Sequence, residues 1–105
     1  MDMTEYQGLA AETAVYQDKL YPITSLIVEA AELADLFIKP YLRGDNDGEA
    51  PDRDEIIGEA GDVLWNLANM LLDAGITLNE VAEYNLKKLR SRQARGVIQG
   101  NGGQR

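Results

Sequence analysis

Between Glu55 and Ala74 the apolar residues recur at helical spacing, and this limits the chain to helical folds. Ile56, Ile57, Ala60, Val63, Leu64, Leu67, Met70 and Leu71 carry the period. At 100° per residue, with Glu59 at zero, they fill one stripe from about 20° to 160°. Glu59 stands on the shoulder of that stripe, Asp62 lies about 60° further round, and Asn66 lies between them. A second stretch, Leu26 to Ile38, repeats the layout. Ile27, Ala30, Leu33, Ala34, Phe37 and Ile38 make its stripe, with Glu29 and Glu32 on the shoulder. Packed antiparallel, two such helices bring four carboxylates together.

The rest of the chain reads as helix and punctuation. Thr4-x-x-Gln7 has the form of a capping box and predicts a first helix to about Lys19. Leu20-Tyr-Pro22 interrupts it, since proline disfavours helix at the residue before. Thr24 or Ser25 then caps the second helix, and Pro40 should end or kink it near Ile38 or Lys39. Asp52-x-x-Glu55 opens the central helix and Gly75 closes it. Thr77-x-x-Glu80 opens a fourth helix from Leu78 to about Arg92. Gly44-Asp-Asn-Asp-Gly48 is a polar turn. It fails as an EF-hand loop, because counting from Asp45 the sixth position is Ala50 and the twelfth is Ile56. No β-alternation, repeat or internal linker is visible. The fold class is all-α: four helices forming residues 1–95, then a glycine-rich basic tail over 96–105.

Composition narrows the chemistry. One chain of 105 residues makes a single small domain, with a core modest enough that burial against a second copy is a reasonable supplement. Without cysteine or histidine there is no thiolate or imidazole site, so any metal must be held by oxygen. The lack of cysteine suits a reducing cytoplasm. No apolar run approaches a membrane span, and Asp2 and Glu5 stand where a signal peptide would be basic. The net charge of −8 argues against a nucleic-acid or anionic-membrane surface. All 18 acids lie in residues 1–86, whereas residues 87–105 hold six bases and no acid. Such a basic end can engage a polyanion through bridging cations and arginines.

Carboxylates at i and i+3 share a helix face, and their repulsion is relieved by a divalent cation. A solvated helix shoulder accounts for any one such pair. Two pairs on matching shoulders of successive helices strengthen the case for a metal site, although the pattern alone still leaves the solvated shoulder ahead. Asp35 and Asp73 read as solvent-facing. Trp65 and Leu72 fall outside the central stripe and suggest a subunit interface, with base stacking as the other role for Trp65. Asn66 and Asn69 are outer-shell ligands, base-reading amides or satisfied polar residues. Tyr6 and Tyr16 on the first helix could cap a pocket.

Glu29-Ala-Ala-Glu32 followed by Glu59-Ala-Gly-Asp62 resembles the signature of MazG-type nucleotide pyrophosphohydrolases, an all-α superfamily. The resemblance continues in Gly61-Asp-Val-Leu-Trp65, in Asn85-x-x-Lys88-Leu-x-x-Arg92 and in the glycine-rich end with Arg105. It departs at Val28, where the family doubles a glutamate, and at Gly58, where many members carry another. It implies a four-helix MazG-like bundle assembling as a dimer or dimer of dimers. It further implies hydrolysis of a (deoxy)nucleoside triphosphate to monophosphate and pyrophosphate. Glu29, Glu32, Glu59 and Asp62 would be both metal-binding and catalytic, with Mg²⁺ as the cofactor and Mn²⁺ as the substitute. Asn66, Asn85, Lys88, Arg92, Arg95 and Arg105 would bind substrate. The alternative is a non-catalytic helical dimer that binds a nucleotide or a protein and keeps its acids for solubility.

Overall fold

In a computed structural model, described for residues 1–42 and 51–96, the chain is all-α: α1 (Met3–Glu12), α2 (Leu20–Leu42), α3 (Arg53–Asp73) and α4 (Leu78–Arg95). The turn at Gly44–Gly48 and the tail with Arg105 fall outside the described residues.

Caps fix most boundaries. Asp52 accepts from the Glu55 amide at 3.3 Å, and Thr77 accepts from the Glu80 amide at 3.0 Å, so α3 and α4 start where the capping boxes place them. α3 closes in a Schellman turn. The Gly75 amide donates to Leu72 O and the Ile76 amide to Leu71 O, both at 2.9 Å, with Gly75 at φ 75°. α4 runs one turn beyond the expected Arg92, to Arg95, and stops at Gly96 with φ 72°.

The first half of the chain departs from expectation. α1 is capped by Asp2, which accepts from the Glu5 amide at 2.8 Å, rather than by Thr4. Aspartate is the stronger cap, and Gln7 is drawn into the interior instead. α1 ends at Glu12, seven residues short of Lys19, where the Thr13 hydroxyl turns back to Ala10 O at 2.7 Å. α2 begins at Leu20 rather than near Leu26. Asp18 Oδ1 accepts from the Leu20 amide at 2.9 Å, which puts Pro22 in the first turn, where its missing N–H has no helical partner to lose. Pro22 is fully buried. Thr24 is therefore inside the helix, donating to Leu20 O at 3.0 Å, and Ser25 lies there too. Pro40 does not stop α2, which continues to Leu42.

α2 and α3 pack most extensively, α1 lies on α3, and α4 touches the chain chiefly through α1. Gln7 is the joint. Its Nε2 donates to Ala68 O (3.0 Å) and Ile76 O (3.1 Å), and its Oε1 accepts from the Leu78 amide (3.0 Å). Ala10, Ala68 and Leu78 are buried around it. The apolar stripe of α2 is only partly covered: Ile27 is 69% exposed, and Val28, Phe37, Ile38, Tyr41 and Leu42 are exposed as well.

Candidate active site

The α2–α3 contact brings the acids together in antiparallel register, Glu29 near Asp62 and Glu32 near Glu59. Glu29, Glu59 and Asp62 each offer an oxygen within 4.8 Å of the other two. Glu32 is exposed and stands outside this trio, within hydrogen-bonding reach of both Glu29 and Glu59. Around Mg²⁺, with oxygens at about 2.1 Å, adjacent ligands stand about 3 Å apart and opposite ones about 4.2 Å apart. The trio falls within that range after small side-chain adjustments.

The electrostatics also suit a cation. Glu29 Oε2 and Glu59 Oε2 are buried and lack a hydrogen-bond partner. Burial raises the Glu29 carboxyl above its ordinary pKa, and the charges of Glu32, Asp62 and Glu59 add to the rise. Glu59 is raised by burial first and by Glu32 and Asp62 after it. No ion pair between described residues brings a basic side chain to these acids; the pair that forms is Lys39 with Asp35, at 3.0 Å on the exposed face of α2.

A small cavity of about 160 Å³ opens beside the trio, lined by Tyr21, Ser25, Glu29, Asp62, Trp65 and Asn66. Asn66 is 3% exposed and turns its Nδ2 back to Asp62 O at 2.9 Å. Asn69 is buried likewise and donates to Trp65 O at 3.0 Å. Beyond Tyr21 and Trp65 lies a larger recess of about 630 Å³, lined also by Thr13, Val15, Tyr16, Gln17 and Asp18. Trp65 is held there by a 2.8 Å bond from its Nε1 to Thr13 Oγ1, and the Tyr16 ring meets it edge-on at 6.1 Å. Tyr16 donates to Asp73 at 2.7 Å; burial first, then that bond, push its pKa up to about 12.

The fourth helix is placed differently. Asn85 and Lys88 line a separate surface hollow with Ile76, Glu80, Val81 and Tyr84, not the cavity at the acids. Arg92 is buried, and Arg95 Nε donates to the Ser91 carbonyl and hydroxyl at 3.3 Å. Tyr21 and Ser25 stand at the site although the periodicity did not assign them there, and Tyr6, expected to cap a pocket, lies near the acids. Tyr6 feels Asp62, since burial and then that charge raise its pKa. Ser25 and Tyr21 lie four and eight residues before Glu29, on one helix face, a signal hidden by ending the helix at Pro22.

An all-α fold in which two antiparallel helices share a carboxylate cluster that could hold a metal ion defines a class of helical proteins with a candidate metal site. Within that class the chain belongs to the MazG nucleotide pyrophosphohydrolase domain family, which it matches over residues 17–97. It is also similar to the Gene 37 protein of Mycobacterium phage L5, 37% identical over 116 residues and covering 100% of both chains. No solved structure matches it. The family makes it a pyrophosphohydrolase-type enzyme, and the trio is a site at which a metal could bind. No helix among the described residues is long and apolar enough to cross a membrane.

Proposed function

We propose that this chain hydrolyses (deoxy)nucleoside triphosphates between the α and β phosphates, using Mg²⁺, with Mn²⁺ as substitute. Water oxygen joins the α phosphorus, the bond to the bridging oxygen breaks, and pyrophosphate leaves. The observation that carries the reading is the Glu29–Glu59–Asp62 trio, with two buried carboxylate oxygens that have no partner in the protein. An unpaired buried anion is costly, so a cluster of this kind is best explained by a cation it binds. Mg²⁺ bound there supplies neutralising charge for the phosphate oxygens and Lewis acidity toward water.

The chain's own residues divide the remaining work. Glu29, Glu59 and Asp62 hold the cation. Glu32, at the edge of the cluster, takes the proton from the attacking water. Asn66 contacts the substrate beside the acids. Arg92, Arg95 and Arg105 meet the negative charge of the triphosphate and the leaving pyrophosphate, whereas Asn85 and Lys88, in a hollow apart from the acids of the same chain, would do so only at the site of a second copy. Residues 1–95 are the catalytic unit, and 96–105 form the basic tail.

The working form is a homodimer or dimer of dimers. What supports it is the uncovered apolar face of α2, where Ile27, Val28, Phe37 and Ile38 are exposed. A second copy would cover this face. The acidic surface disfavours nucleic acid as a partner, and the cytoplasm, which holds the nucleotide pool, is the compartment.

The test is product analysis with a panel of dNTPs and NTPs, with and without Mg²⁺, on wild type and Glu59→Gln. Monophosphate and pyrophosphate in Mg²⁺ alone, with a loss of at least about 100-fold in the variant, is the expected outcome. Inertness across the panel with metal present would instead favour a non-catalytic binding protein.

A further inference from the structure

We infer that Tyr16, Asp73 and Thr13 are positioning residues: together they latch the 13–19 connection across α3 and so hold Trp65 and Tyr21 as the aromatic walls of the acid-site cavity. The inference rests on the reading of the acids as the reaction centre and adds how part of that centre is kept in place.

The connection is tied down by side chains rather than by backbone. Its backbone hydrogen bonds lie at its ends: the Thr13 and Ala14 amides reach Ala10 O and Ala11 O, and the Tyr21 amide reaches Asp18 O. Among the described residues, Val15, Tyr16 and Gln17 form none. Two side-chain bonds cross to α3 instead. Trp65 Nε1 donates to Thr13 Oγ1 at 2.8 Å, and the Tyr16 hydroxyl donates to Asp73 Oδ2 at 2.7 Å. Their anchors on α3 stand eight residues apart, about 12 Å along the helix. Thr13 closes α1 and Asp18 opens α2 through bonds of their own, so the span between them can lift without unwinding either helix.

Tyr16 does not line the cavity that contains Glu29 and Asp62. It stands behind both aromatic walls of that cavity. Its ring stacks on Tyr21 at 5.8 Å and meets Trp65 edge-on at 6.1 Å. The one polar atom of the Trp65 side chain is engaged by Thr13, so the connection helps set the orientation of the indole. Both latch bonds are exposed, where water competes with them. The closed arrangement is therefore favoured only modestly, and loss of one bond shifts the ratio of open to closed by about fivefold.

Trp65 is the only tryptophan of the chain, so its indole N–H gives a single NMR signal whose hydrogen exchange counts openings of the Thr13 bond. The experiment measures that exchange in wild type, Tyr16→Phe, Asp73→Ala and the double variant. Tyr16→Phe keeps the ring and removes only the hydroxyl. It should speed indole exchange about fivefold while the amides around Ala68 stay within about twofold of wild type. Asp73→Ala should do the same, and the double variant no more than either, since both changes remove one bond. In turnover, KM for the triphosphate should rise about two- to fivefold with kcat kept within about twofold, because only the closed share binds productively. Unchanged indole exchange in both single variants overturns the latch. Equal acceleration of the indole and the core amides overturns it too, since that marks general destabilisation. Faster indole exchange with KM unaltered overturns the positioning role. If wild type hydrolyses no nucleotide the hydrolytic reading falls, and the exchange rates alone decide whether the 13–19 connection is latched to Trp65.

Discussion

Replacing Gln7 with leucine tests the joint that holds the first, third and fourth helices in one arrangement. The substitution keeps approximate size and removes three hydrogen bonds, to Ala68 O, Ile76 O and the Leu78 amide. Each such bond contributes about 1 kcal/mol net. The Leu78 amide lies at the start of α4, where no helical carbonyl can replace the lost partner. Ala68 O keeps its place in α3 and suffers less. The expected cost is about 3 kcal/mol, which at this chain length lowers Tm by roughly 12–24 °C. Thermal unfolding followed by circular dichroism, at fixed protomer concentration so that assembly does not shift the midpoint, measures it. Asn79→Ala is the control. It removes an exposed bond from Asn79 to Glu83 of 3.2 Å and should cost under about 0.5 kcal/mol. A loss below about 1 kcal/mol for Gln7→Leu would refute the view that these bonds join the helices.

Two further outcomes follow from the acids and the bare helix face. Glu29 and Glu59 have pKa values raised in the folded chain. The folded state therefore binds more protons than the unfolded one at and above the ordinary glutamate range. Their contribution is fully present below the unfolded pKa and is lost as pH rises through the folded values. Without divalent cation, Tm should therefore rise as pH falls from 7 toward 5, and saturating Mg²⁺ should flatten that slope; a slope unaltered by Mg²⁺ would count against a cation at the trio. Ile27→Asp on the exposed α2 face should split the oligomer. Each copy would lose burial worth roughly 1.5–3 kcal/mol, so a two-fold interface weakens by roughly 3–6 kcal/mol. Light scattering after size exclusion reads this as a shift to monomer, and unchanged mass for the variant would place the interface elsewhere.

The sequence alone determined the helices of the second half and the acid pairs. Asp52, Gly75 and Thr77 act through bonds to residues three or four positions away, so their consequences are local and legible. The same holds for i,i+3 acids on an apolar shoulder, which need only a partner helix to converge. Tertiary structure decided the first half. Gln7 has the spacing of a capping residue, yet its bonds reach Ala68, Ile76 and Leu78, which no local pattern reveals. Pro22 reads as a breaker, but Asp18 starts the helix early enough to leave the proline in the first turn. That shift puts Tyr21 and Ser25 on the face of Glu29 and so builds the cavity wall. Only the fold separated Glu32 from the close trio, and only the fold left Asn66 Oδ1 buried without a partner, because both depend on how the helices come to lie against each other.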